Sequence, residues 1–161
     1  AIRSISDGLP MMTDVRASDE TRDRKPRTTV AMDYGVIRIG RSEVVHLYGT
    51  PGQERFDFMW DILQEGALGL VLLVDNARPD PLDDLARFLG AYHDFILRSA
   101  VVVGITGTDL RPVPPRQAYV DALERHGHRC PVFTVDARSS ADVSLLLRSL
   151  LYCLDPQVAA P

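Results

Sequence analysis

The sequence predicts an α/β fold in three layers, a mostly parallel sheet with helices on both faces. Three short apolar runs, residues 69–74, 100–105 and 132–135, each end in polar residues. Runs that are apolar on both faces suit parallel strands covered by helices. Amphipathic stretches alternate with them, over 82–98, 115–126 and 141–154, and strand–helix alternation marks this fold class. Two further segments, 34–39 and 44–48, are rich in β-branched and aromatic residues and are joined through Gly40-Arg41-Ser42. That spacing adds one antiparallel hairpin strand to the sheet.

Each element has its own justification. The chain opens on Ile2, Ile5 and Leu9 at helical spacing, a pattern that Gly8 and Pro10 stop. Residues 11–27 are polar, carry both charge signs and lack an apolar period, so they read as a long loop. After the hairpin, Gly49-Thr50-Pro51-Gly52-Gln53 is a second loop, dense in backbone punctuation. A helix is expected over 55–68, with Phe56, Met59, Trp60 and Leu63 on one face. His126 and His128 flank Gly127 after a helix, the pattern of a C-terminal cap rather than of a metal site.

Composition narrows the function. The 161 residues suit about one domain. With 22 acids against 18 bases the formal charge is −4, which argues against a general nucleic-acid binder and against electrostatic docking on an anionic membrane. The longest clean apolar run, residues 67–74, is far too short to span a bilayer, and no signal peptide is visible. A cytoplasmic protein without membrane insertion is expected. Cys130 and Cys153 each lie beside apolar residues and read as reduced, buried thiols; no C-x-x-C is present.

Ligands of open parallel sheets bind beyond the carboxyl ends of the strands. Polar segments stand at such ends: Thr28-Thr29, Gly49 to Gln53, Thr106 to Asp109, and Asp136 to Arg138. Their convergence on one rim is the main functional signal.

At this rim the motifs become specific. TTVAMDYGVIRI followed by VVHLYGTPGQERF resembles the switch region of a Ras-like small GTPase, a P-loop NTPase-like domain. ITGTDL resembles that family's N-K-x-D guanine motif, and VDARS its S-A-K motif. The resemblance runs over nearly the whole chain in the right order, and GTPGQERF is its most specific piece. Within the superfamily the chain is similar to bacterial single-domain GTPases, including gliding-motility polarity switches and relatives of the signal-recognition-particle receptor β subunit. The resemblance implies one G domain over 1–161, with switch I over 11–29 and switch II over 49–63. It implies a molecular switch that binds GTP and GDP with magnesium (Mg2+), hydrolyses GTP slowly, and signals to a regulatory protein partner, by analogy of the roadblock/LC7 type.

Carried over residue by residue, the resemblance gives Thr29 the Mg2+ ion through its hydroxyl and the γ-phosphate through its N–H; Thr28 takes that place if the register differs by one. A small hydroxyl on a mobile loop lets the terminal phosphate order that loop. Gly52 would meet the γ-phosphate through its backbone, which needs close approach without a Cβ. Gln53 would be the catalytic residue, orienting the attacking water. Asp109 would accept the guanine N1–H and exocyclic amine, a donor pattern adenine lacks, and Thr106 opens the same motif. Ala137 would give its N–H to guanine O6, between Asp136 and Arg138. Arg27 is either an arginine supplied in cis or a solvated loop residue. Phe56, Phe58, Met59 and Trp60 are either a partner-reading patch or plain core. An aspartate capping the turn before Leu110, and a helix opening at DARSS, are the bland alternatives.

Three departures stand against the family pattern. The G-x-x-x-x-G-K-[ST] phosphate loop is absent from the chain, and its parent strand is the central one of such a sheet. The expectation is that roughly 15–25 residues precede Ala1, from the strand and loop lengths of such units. Gly49 replaces the switch II aspartate that helps hold Mg2+; Asp33 or Asp75 would compensate only by geometry. Thr106 and Gly107 replace the asparagine and lysine of the base motif, and Arg138 would stack on the base instead. These departures sustain a reading of a different class, an interaction module with a GTPase fold and little or no hydrolysis. A flavodoxin-like domain shares the layer pattern but does not account for GTPGQERF beside a TT-x-x-x-D-Y strand.

Overall fold

The computed structural model describes residues 1–6, 11–12, 33–39, 43–50 and 63–155. They fall in two compact units, divided between residues 65 and 66.

The smaller unit is built on a hairpin. Strands β2 (Asp33–Ile39) and β3 (Glu43–Gly49) pair antiparallel, with Tyr34 opposite Tyr48, Val36 opposite His46 and Ile37 opposite Val45. Successive side chains alternate between faces, so Tyr34, His46 and Tyr48 share one. There the Tyr34 hydroxyl lies 2.7 Å from His46 Nδ1, and the Tyr34 and Tyr48 rings are 5.2 Å apart. The short helix α1 (Ile2–Ile5) covers the other face, where Ile2 meets the strands at Gly35 and Gly49. Met11–Met12, expected to lie in a loop, form strand β1 instead, pairing with Tyr34 and Asp33. Two residues carry no periodicity; what recruits them is the edge of β2, whose backbone groups need partners.

The expected helix over 55–68 is described only at residues 63–64 and has ended before Leu68. Gly66, at φ +79°, lies just past the helical residues, where a left-handed residue commonly stops a helix. Phe56, Phe58, Met59 and Trp60 lie outside the described residues.

In the larger unit, β4 (Gly69–Asp75), β5 (Ala100–Thr106) and β6 (Val132–Thr134) form a parallel sheet in that order. The register sets Leu72 beside Val103 and Val74 beside Ile105, so alternate residues sort onto two faces. On one face Leu72, Val74, Val103 and Ile105 pack against Leu85 and Leu89 of α2 (Pro81–Ala91) and Tyr119, Ala122 and Leu123 of α4 (Arg116–Arg125). On the other, Val102 and Val135 pack against Leu146 and Leu150 of α5 (Ser140–Leu154). Helix, sheet and helix make the expected three layers. Gly104 permits the close approach of α5: a Cβ there would come within 2.8 Å of Leu73 Cδ2 and 3.0 Å of Leu146 Cδ1.

The helix expected over 82–98 is two helices, α2 and α3 (His93–Arg98), broken at Tyr92 (φ −103°, ψ 17°). Leu85, Leu89, Tyr92 and Phe95 are all buried, so the apolar spacing runs on across the break and does not announce it. Gly90 weakens the helix just before the break. The ends are capped by local chemistry: Asp80 accepts from Asp83 N–H, Ser139 from Asp142 N–H. Past α4, His128 N–H donates to Leu123 O and Gly127 N–H to Glu124 O, the anticipated C-terminal cap.

The cysteines depart from expectation in part. Cys130 is half-buried, and burial pushes its thiol up to about 11, but Cys153 is exposed on the last turn of α5. Leu150 is the last residue of α5 in the core, and residues 152–155 beyond it are exposed. Among the described residues no helix is long and apolar enough to cross a membrane.

Candidate functional site

The carboxyl ends of β4, β5 and β6 lie side by side, because Asp75 is in register with Thr106 and Ile105 with Thr134. The loops that leave β5 and β6 are therefore neighbours. They bring together five of the residues singled out from sequence: Thr106, Asp109, Asp136, Ala137 and Arg138.

The loop after β5 is a compact turn. Leu110 N–H and Arg111 N–H both donate to Gly107 O, at 3.1 and 3.0 Å. Thr106 Oγ1 donates to Val74 O at 3.3 Å, which ties the loop to the neighbouring strand. Asp109 is exposed at the crest of the turn. Gly107 has φ +69°, and a Cβ there would lie 2.5 Å from Asp75 Oδ1. That oxygen already accepts from Ala77 N–H at 2.9 Å. A lysine at 107, as in the family motif, would meet both a left-handed backbone and an occupied carboxylate.

The loop after β6 is held from α5. Asp142 accepts from Asp136 N–H at 2.8 Å and from the Ser139 hydroxyl at 3.1 Å. The Asp136 carboxylate in turn accepts from Arg138 N–H at 2.8 Å, and from Arg138 Nε and Nη2, each at 2.9 Å. The Arg138 bonds hold the Asp136 carboxyl below the usual carboxylate range. The same bonds, with the charges of Asp136 and then Asp109, favour the charged guanidinium of Arg138. Asp109 and Arg138 thus share one electrostatic neighbourhood on adjacent loops. Ala137, between the two charged residues, is half-buried.

Thr28, Thr29, Gly52 and Gln53 lie outside the described residues, as does Arg27. Of the switch II departure, Gly49 itself is described. It ends β3 directly opposite Asp33, and a Cβ there would meet Ile2 Cδ1 at 2.8 Å and Asp33 Cβ at 3.2 Å. A side chain at 49 is thus resisted by α1 and β2, while Asp33 is the carboxylate on the adjoining strand.

Sequence reasoning missed a buried polar group behind these loops. Asn76, fully buried, accepts a hydrogen bond from the Tyr119 hydroxyl through Oδ1 and donates through Nδ2 to Arg111 O at 2.6 Å. Its backbone N–H donates to Thr106 O at 2.8 Å. Arg111 Nη1 reaches Arg78 O at 2.6 Å and Pro79 O at 3.1 Å. The available signals were slight: an asparagine closing an apolar run, and a tyrosine at a core position of an amphipathic helix. Among the described residues no group of three or more His, Cys, Asp and Glu is placed to hold a metal.

Comparison with known proteins agrees with this geometry at the level of family. The chain is 33% identical over 98 residues to Ras-related protein RABA6a of Arabidopsis thaliana, a match covering 59% of this chain and 42% of that protein. It is 26% identical over 99 residues to Ras-related protein Rab-18-B of Danio rerio, covering 60% and 48%. A stretch of 50 residues is 36% identical to an uncharacterized protein of Methanocaldococcus jannaschii, covering 31% and 32%. The chain therefore spans less than half the length of these relatives. Residues 10–116 match the family described as conserved hypothetical ATP binding protein. The chain has a P-loop NTPase-like α/β fold related to Ras-like proteins, and it belongs to the conserved hypothetical ATP binding protein family.

Proposed function

We propose that the chain is part of a GTP-binding molecular switch that hydrolyses GTP slowly and signals to a protein partner. The observation that supports it is the placement of Asp109 and Arg138 on neighbouring loops at the carboxyl ends of β5 and β6. An exposed carboxylate flanked by a planar guanidinium matches a guanine base: the carboxylate accepts N1–H and the amine, and the guanidinium stacks. In this reading Ala137 N–H meets O6, Thr106 and Asp136 shape the pocket walls, and Gln53 orients water for hydrolysis.

Mg2+ neutralises phosphate charge when bound, and it prefers oxygen donors. Thr29 (or Thr28) and Asp33 would hold it. Asp33 fits that role because it is an exposed carboxylate paired across the hairpin with Gly49, where the family carries its aspartate. Gly52 would meet the γ-phosphate. We infer a cytoplasmic protein of the bacterial single-domain type, with a roadblock/LC7-type regulator as its partner.

The family description names ATP, whereas Asp109 argues for GTP, and a titration separates them. Fluorescent GTP and ATP analogues with Mg2+ are titrated against this chain and against the full-length protein. The expected outcome is GTP-selective binding that Asp109→Ala abolishes, with hydrolysis lost in Gln53→Leu. Equal binding of both nucleotides would reduce Asp109 to a turn residue. Gly49, Thr106 and Gly107 favour a second reading, a GTPase-fold interaction module with little hydrolysis; GTP binding without turnover would select it.

A further inference from the structure

We propose that Asn76, fixed by Tyr119, is a positioning residue that sets the loop carrying Asp109 and thereby the protein's discrimination between purine bases. The inference rests on the reading of Asp109 as the base-recognising carboxylate. Asn76 holds the loop at both ends. Its backbone N–H takes Thr106 O where the loop begins, and its side-chain Nδ2 takes Arg111 O where it ends. The residues between, Gly107, Thr108, Asp109 and Leu110, are thereby pinned at a fixed span, and Gly107 O closes the turn from inside.

Arg111 O can only accept, so it draws Asn76 Nδ2, and the Tyr119 hydroxyl holds the other end of the amide. An amide can present oxygen or nitrogen to a given neighbour. The Tyr119 hydroxyl is buried, and burial, with the charge of Asp75 second, pushes it up to about 12. It therefore stays protonated and donates to Asn76 Oδ1. With Oδ1 occupied, Nδ2 is left facing Arg111 O, the only arrangement in which both amide atoms are satisfied. The Arg111 guanidinium adds an outer strap, donating to the carbonyls of Arg78 and Pro79. Removing the tyrosine hydroxyl leaves Asn76 Oδ1 buried without its donor, so the amide loses one of its two fixings and the anchor at the carboxyl end of the loop weakens.

The test compares GTP with ITP, which lacks the exocyclic amine that Asp109 would accept. Full-length wild-type protein, Tyr119→Phe, Asp109→Ala and the double variant are titrated with both nucleotides. Tyr119→Phe keeps the ring in the core, and circular dichroism checks that it folds. Arg111→Ala serves as a milder second variant, since it removes only the outer strap and leaves the anchored carbonyl. Hydrogen exchange on the nucleotide-free protein reads amides 107–111 separately.

The expected result has three parts. Wild type prefers GTP over ITP by about tenfold or more, the scale of one hydrogen bond to a charged group. Tyr119→Phe loses most of that preference, and the loss is absent in an Asp109→Ala background. Amides 107–111 exchange faster in Tyr119→Phe while those of β5 do not. A folded Tyr119→Phe protein that keeps the wild-type ratio overturns the proposal, as does additivity with Asp109→Ala. A wild type that does not distinguish GTP from ITP overturns the reading of Asp109 and this inference with it, an outcome the wild-type arm identifies by itself.

Discussion

Replacing Gly107 tests how the base-motif loop is built. Its φ of +69° puts an L-residue in the left-handed region, at a cost of about 1–2 kcal/mol. The new Cβ would also lie 2.5 Å from Asp75 Oδ1, so Asp75 must release Ala77 N–H. That exposed, charge-assisted bond contributes about 0.5–1 kcal/mol after allowance for solvent. Gly107→Ala should therefore destabilise by about 1.5–3 kcal/mol, or roughly 3–12 °C in Tm for a chain of this size. Gly127 is the control: it has φ +79° but nothing within 4 Å of its Cβ position, so Gly127→Ala should cost only the backbone part. Denaturant unfolding of the two variants, with and without Asp75→Ala, isolates the collision. Equal costs for Gly107→Ala and Gly127→Ala, or a difference that survives removal of Asp75, would refute this account.

Leu146→Ala should cost about 2–5 kcal/mol by opening a cavity between α5 and the sheet; a loss below 1 kcal/mol in urea melts would show that the layer relaxes around it. His128 has a lowered pKa because burial, then His93 and His126, disfavour its charged form. The unfolded chain therefore binds the extra proton first, so stability is full above about pH 6.5 and falls as pH drops through the folded value. His128→Gln should flatten that slope, which melts between pH 5 and 8 would register. Native protein treated with a thiol reagent should react quickly at Cys153 and much more slowly at Cys130, whose half-buried thiol is pushed up to about 11 by burial; mass analysis of labelled peptides distinguishes the two, and equal labelling would contradict the difference in burial.

The layer architecture was legible because it rests on local periodicity. Three short apolar runs rich in β-branched residues and alternating with amphipathic stretches read as covered strands, and each lies within a residue or two of its predicted bounds. The hairpin was legible for the same reason, since β-branched alternation and a short turn fix register without help from the rest of the chain. The helix caps at Ser139 and Gly127 follow from residue types a few positions apart.

The rest depended on residues far apart in sequence. That Met11–Met12 pair with β2 follows from the needs of an edge, which the two methionines do not announce. The helix break at Tyr92 falls inside one continuous apolar spacing, which carries no sign of it. Asp109 and Arg138, 29 positions apart in sequence, share a neighbourhood only because β5 and β6 run parallel in register. The buried Asn76 finds Tyr119, 43 residues on, only when α4 docks on the sheet. Local sequence determines which segments become strands and helices, because propensity, pattern and capping act over a few residues. Which polar groups meet at the rim is settled by packing, because a hydrogen bond between distant residues exists only after the layers have closed around it.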